Sequence, residues 1–242
     1  MRFASQTETH ALKEISMSVA AGQVLGLLGP NGSGKSTMLK LISTVLLPDR
    51  GRVLVDDYDT RTQGQAVRRT VGFAIATERS FFPRLTVREN LEFFAALEDI
   101  PRREIPHRAT DVLLRVNLID EAHKQTMKLS SGMQQRLGIA RALIKSPSIL
   151  LLDEPSRSLD AAACEEMWTW IRDLSEDGTT VLLASHNFEE VSAVCDRAAL
   201  LCAGELLDCM NIRSVPGEEL RNIYFEMTKG QRKTHLAIEV PA

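Results

Sequence analysis

The chain lacks any stretch approaching the roughly 20 consecutive apolar residues that a bilayer-spanning helix needs. Its longest dense apolar runs, Val24–Leu28 and Ile149–Leu152, are strand lengths. The opening residues Met1–Glu8 lack the apolar centre of a signal peptide. A cytosolic chain is expected, held at a membrane only by a partner. A basic excess is missing too. Lys and Arg number 29 against 32 Asp and Glu, for a net charge of −3. That balance argues against a general electrostatic grip on nucleic acid, so no nucleic-acid partner is expected. The four cysteines, Cys164, Cys195, Cys202 and Cys209, form no CxxC pair and match no zinc spacing. They read as reduced thiols that pack as small hydrophobes. Internal repeats and low-complexity segments are absent.

What is present suits one α/β domain. The 242 residues are 44% apolar, enough for a large core with an inserted subdomain. Val24–Leu28 reads as a buried strand. A glycine-rich turn follows, then a helical pattern over Ser36–Val45. Arg52–Asp57 and Thr70–Ile75 read as strands. Thr86-Val-Arg-Glu89 is a capping box heading a helix over Val87–Leu97. Helices are expected over 106–118 and Gly132–Ile144, a strand over Ser148–Asp153, and a helix from an Asp160 cap to Ser175, ended by Gly178. Thr179–Ser185 is the next strand. Arg197–Cys202 and Glu205–Asp208 form a hairpin about Ala203-Gly204. Alternating strands and helices imply a mainly parallel sheet covered on both faces. Residues 80–135 show no strand and read as a helical insert. Residues 209–242 form a short tail, whose last part, Gly230–Ala242, is polar and irregular.

Gly29-Pro30-Asn31-Gly32-Ser33-Gly34-Lys35-Ser36-Thr37 fits GxxxxGK[ST], the phosphate-binding loop. Accident supplies that pattern in roughly 1% of chains of this length. Here it also lies between a strand and a helix, as its chemistry requires. Its glycines let successive N–H groups point inward, and the following helix aims its positive end at the same anion. Lys35 is placed for the β- and γ-phosphates, Ser36 for Mg²⁺ and Thr37 for the α-phosphate. In Ile149-Leu-Leu-Leu-Asp153-Glu154-Pro155 a buried strand ends in two acids. Asp153 would meet the Mg²⁺ through water, and Glu154 could act on an attacking water as general base. His186, after the apolar run Val181–Ala184, lies where α/β sheets place ligands.

Leu129-Ser-Ser-Gly-Met-Gln-Gln-Arg-Leu-Gly-Ile-Ala-Arg-Ala-Leu143 resembles the LSGGQ signature and following helix of ABC ATPases. The resemblance runs from about Ala11 to Asp208. The motifs come in family order: phosphate loop, signature, LLLDEP, Ser158-Leu-Asp160 and His186. It implies a P-loop NTPase core with an antiparallel β subdomain and an inserted α-helical subdomain, all within one domain over 1–242. It also implies two such chains packed head to tail around two ATP molecules. Ser130 and Gly132 would then touch the γ-phosphate bound by the opposite chain. Asp160 would help join the two sites, and Glu154, His186 and Lys35 would carry hydrolysis.

This chain departs from the family pattern in places. Ser131 and Met133 replace a Gly and a Gln of the signature. The Gln expected after Val71-Gly-Phe is absent, leaving Thr77 or Ala76 at that place, with Thr77 or Glu78 as an assistant to Mg²⁺. For the aromatic that stacks on adenine, spacing selects Phe3, then His10. The 78–97 segment resembles subunits paired with ABC-2-type permeases, which export drugs, lipids or polysaccharides from a separate membrane chain. A soluble ABC ATPase of an assembly process, such as iron–sulfur biogenesis, is the alternative.

Overall fold

The computed structural model describes residues 10–75 and 81–231. Val24–Leu28 forms β1, buried at every position. It is flanked by two parallel neighbours, β6 (Thr180–Ser185) and β7 (Arg197–Cys202). Beyond β6 come β5 (Ile149–Asp153) and β4 (Val71–Ile75), also parallel. Beyond β7 comes β8 (Glu205–Asn211), antiparallel, giving the order β4-β5-β6-β1-β7-β8. A strand buried on both faces can be apolar throughout, which explains the unbroken apolar runs that define these strands.

Period-two alternation sends the strand residues into two cores. Val24, Leu28, Leu150, Leu152, Val181 and Leu183 join one. Leu25, Leu27, Leu151, Leu182 and Ala184 join the other. The first core packs under α6 (Ala161–Glu176) and α7 (Phe188–Val194), and the second under α1 (Lys35–Ile42) and α2 (Gly64–Thr70). Gly26 allows the close approach of α7: a Cβ there would lie 2.6 Å from a Val191 methyl.

Between β4 and β5 run α3 (Val87–Leu97), α4 (Ile105–Arg115) and α5 (Ser131–Leu143). This is the inserted helical arm. Its first helix begins as expected. Thr86 Oγ1 accepts from Glu89 N, and the Glu89 carboxylate accepts from Thr86 N at 2.7 Å. Buried Asn90 fixes the preceding loop, donating to the Leu85 and Thr86 carbonyls and to Thr126 Oγ1.

Several boundaries differ from the sequence expectation. The helix read over Ser36–Val45 stops at Ile42, because Thr44 turns left-handed at φ 63°. The strand read over Arg52–Asp57 is a small hairpin, β2 (Leu54–Val55) and β3 (Tyr58–Asp59), turning at Asp56 and Asp57 with φ 47° and 64°. Two-residue turns of that kind need positive φ at both positions, which aspartate tolerates. Helices α2, α7 and α8 (Gly217–Gln231) were not read from sequence. Helix α8 returns to the core: Leu220 and Tyr224 are buried, and Tyr224 Oη donates to Leu201 O at 3.1 Å. The expectation for Gly230–Ala242 lies largely outside the described residues.

Candidate functional site

The carboxyl-end edges of β1, β5 and β6 bring together residues more than 100 positions apart. From β1 the chain enters the glycine-rich loop, and α1 starts at Lys35. Gly34 sits at φ 107°, where a Cβ would strike the Leu12 side chain at 2.4 Å; a Cβ on Gly29 would strike Leu201 O at 2.3 Å. Both positions need glycine. Lys35 is buried, and its Nζ donates to Gly29 O at 2.7 Å and Pro30 O at 3.2 Å. The same ammonium lies 3.5 Å from Glu154 Oε1.

At the end of β5, Asp153 is also buried and accepts a 3.0 Å hydrogen bond from Ser36 Oγ. Burial pushes its carboxyl above the usual range, Ser36 opposes that shift, and Glu154 adds to it. Glu154, next in line, has left-handed φ of 53° and donates its N–H to Ala184 O at 2.9 Å. That turn carries the side chain out of the sheet, where Glu154 Oε2 meets His186 Nδ1 at 2.7 Å. Gln135, on α5, holds the turn from the other side by donating to the carbonyls of Glu154 and Pro155. Residues out of the ordinary φ range cluster at functional sites when their surroundings hold them there.

The remaining predicted residues are placed elsewhere on this framework. Ser130 is the exposed cap of α5, its Oγ accepting from Met133 N at 3.3 Å. Gly132 packs against the backbone of Ser158: a Cβ there would approach Ser158 O to 3.0 Å. Asp160 caps α6 by accepting from Ala163 N at 2.9 Å. Asn31 and Gly32 are exposed, and Thr37 is half-buried. Thr77, Ala76, Glu78 and Phe3 lie outside the described residues, and His10, the second adenine candidate, is exposed. A cleft of about 370 Å³ among α4, α5 and α6, lined in part by Asn117, Arg136, Glu166 and Trp170, contains none of these residues.

Sequence reading missed Gln135 and Glu190. Both are buried polar groups on helices, Gln135 at 6% exposure and Glu190 at 0%. Gln135 stood inside the signature-like run without being singled out. Glu190 lies on a seven-residue helix too short for a clear periodic signal.

The donor set suits a phosphate–magnesium group. Ser33 Oγ is buried with no hydrogen-bond partner, and a Cβ on Gly32 would meet nothing within 4 Å. One hydroxyl and one carboxylate, Ser36 and Asp153, supply hard oxygen donors. Mg²⁺ is commonly held by one or two carboxylates with the substrate's phosphates completing its shell. Fold and site together define a P-loop nucleoside triphosphatase.

Comparison with known proteins narrows that class. The ABC transporter profile matches residues 12–157, more than half of the chain. NatA, an ABC transporter ATP-binding protein of Bacillus subtilis, is 36% identical over 81% of this chain and 80% of its own length. The daunorubicin resistance ATP-binding protein DrrA3 of Streptomyces coeruleorubidus is 38% identical, over 81% of this chain but 62% of that one. Import proteins match at the same level: the methionine import protein MetN of Caulobacter vibrioides is 38% identical over 82% of this chain and 61% of its own. Among solved structures, the dimeric post-hydrolysis state of the cassette MJ0796 bound to ADP and Pi superposes with a TM-score of 0.79. It is 30% identical, over 88% of this chain and 95% of that one. The chain belongs to the ABC transporter family, as one of its ATP-binding, ATP-hydrolysing subunits. These relatives are transport or resistance proteins, and the assembly-ATPase alternative draws no support from them.

Proposed function

We propose that this chain is the ATP-hydrolysing motor of a membrane exporter of the ABC-2 type, one domain working as a dimer at the cytoplasmic membrane face beneath a separate permease. The observation that carries the hydrolytic part is the convergence of Lys35, Ser36, Asp153, Glu154 and His186 at one sheet edge. In this reading the loop Gly29–Thr37 holds the phosphates of ATP, and the Lys35 ammonium offsets their charge. Mg²⁺ would be held by Ser36 and Asp153, where it neutralises charge developing on the phosphate oxygens. Glu154 takes a proton from the attacking water. His186, at 2.7 Å, fixes the Glu154 carboxylate from the side and reaches toward the γ-phosphate.

Ser130 and Gly132 serve the ATP held by the opposite chain. Asp160 links the two sites, and Thr77 stands in for the missing Gln beside Mg²⁺. Phe3 is the partner for adenine. Export is favoured by the 78–97 resemblance and by the surface it produces. Phe81 is buried and Phe94 partly so, while Phe82 and Phe93 are 43% and 39% exposed and packed edge to face. Half-exposed aromatics at one spot suit a protein interface, here the permease. The cargo class would be a drug, lipid or polysaccharide. No helix among the described residues is long and apolar enough to cross a membrane, so the spanning part is assigned to the partner. Affinity capture of the chain from detergent-solubilised membranes of its own cell tests this. A stoichiometric multispanning protein is expected, and a purely soluble partner set would overturn the transporter assignment while leaving the ATP chemistry in place.

A further inference from the structure

Glu190 is a carboxyl group with 0% exposure on α7, four residues past His186, and the chemistry above makes no use of it. Burying a carboxyl is costly unless its surroundings are arranged for it. Here they are. Ser185 Oγ donates to Glu190 Oε2 at 2.5 Å, and the same Oγ accepts from Asn187 N at 3.0 Å. Asn187 Oδ1 in turn accepts from Glu189 N at 3.0 Å and Glu190 N at 3.4 Å. His186 is thus bracketed by Ser185, bonded to this carboxyl, and by Asn187, bonded to Ser185 Oγ and to the Glu190 backbone N–H. The second oxygen of Glu190, Oε1, is buried without a hydrogen-bond partner among the described residues, as is the Trp168 indole N–H, and Glu154 N donates to Ala184 O at 2.9 Å, next to Ser185.

We propose that Glu190 is a positioning residue that, through Ser185, holds the segment carrying His186 in place and so sets the 2.7 Å approach of its ring to Glu154. It touches neither substrate nor reacting atoms. The proposal rests on the reading of Glu154 and His186 as base and partner. Burial pushes the Glu190 carboxyl above its usual range, so an amide of the same shape should replace it with little loss, whereas removal of the group should not be tolerated.

The test compares the full chain with Glu190→Ala, Glu190→Gln and Ser185→Ala, using steady-state ATP hydrolysis and NMR of the His186 ring, assigned with a His186→Gln variant. For Glu190→Ala, kcat should fall on the order of 10- to 100-fold with KM within about twofold, since sub-ångström misplacement of a reacting pair has effects of this size. Glu190→Gln should recover at least about a third of wild-type kcat. The His186 ring resonances should shift in Glu190→Ala and return in Glu190→Gln. A kcat within about twofold of wild type for Glu190→Ala, a loss confined to KM, or unmoved His186 resonances would each overturn the proposal. Should Glu190→Ala not fold, Ser185→Ala carries the same test. Its kcat should fall by about threefold or more at unchanged KM, and an unchanged kcat overturns the proposal. The ring resonances do not depend on which residue is the base. If Glu154→Gln kept full turnover, the functional reading would fail while the spectroscopic arm still decided whether Glu190 positions His186.

Discussion

The two regions that the family resemblance assigns to ATP are built differently. The sheet-edge region is interlocked, and its lysine and aspartate are buried. Lys35 and Asp153 are 5% and 7% exposed, and Ser36–Asp153, Lys35–Glu154 and Glu154–His186 contacts tie together strands far apart in sequence. The arm region is open. Ser130 and Ser131 are exposed, and among the described residues the Ser130 hydroxyl is engaged only in capping its own helix. Buried charges must be compensated by their own chain; an exposed helix head with spare donors can wait for a ligand from outside. In the function proposed above, one half-site is finished by folding and the other by association. Gln135 joins them. It stands on the same helix as Ser130, one turn in, and grips the Glu154 turn.

The comparison breaks most visibly at the sheet edge. Lys35→Ala should abolish measurable hydrolysis and weaken ATP binding. Glu154→Gln should lower turnover by about 10²–10⁴-fold, the usual contribution of a positioned base, while ATP binding persists and a closed dimer accumulates. Steady-state hydrolysis with nucleotide-binding titrations checks both, and full turnover in Glu154→Gln would remove it as base. At the arm, Ser130→Arg should abolish hydrolysis yet leave ATP affinity of the isolated chain within about twofold, because that hydroxyl is not part of its own chain's loop. Equal loss of affinity would erase the distinction between the regions.

A smaller effect concerns pH. Glu190 has a folded carboxyl pKa raised above the ordinary 4.5 by burial. The folded state then binds the proton more tightly than the unfolded chain, so this group lowers stability as pH rises from 4.5 through the raised value. Glu190→Gln should flatten that part of the thermal-stability profile. A profile of unchanged slope would contradict the assignment. The smallest effect belongs to the arm's architecture. Thr86→Ala removes the cap of α3 and should lower stability by about 1 kcal/mol, with hydrolysis by the purified chain unchanged.

Much of this was legible in the residues. The apolar runs ending in Asp153 and Ser185 defined the central strands because a doubly covered sheet admits no polar interruptions. The phosphate loop, the two acids and the histidine fell in place because each follows such a strand. Thr86–Glu89 and Asp160 announced their helices through capping chemistry that is local and so readable. What escaped was set by tertiary contact. Helices α2 and α7 are seven residues each, too short for periodicity to show. Helix α8 is held by packing of Leu220 and Tyr224 rather than by its own pattern. The carboxyl of Glu190 reads in sequence as one more surface acid on Asn187-Phe-Glu-Glu, and only the fold turns it inward. Gln135 likewise acquires meaning only when α5 is laid against the Glu154 turn.

The central claim is that each ATP is held by the loop of one chain and the Ser130 region of another. Mixing two crippled chains tests it most directly. Lys35→Ala lacks the loop cation but keeps its Ser130 region. A Ser130→Arg/Glu154→Gln double variant keeps its loop, cannot serve an opposite chain, and cannot hydrolyse what it binds. Light scattering with ATP should show monomers for each alone and a heterodimer holding a single ATP on mixing, since one complete site arises only between them. Monomers in the mixture, or dimers of either variant alone, would contradict the account.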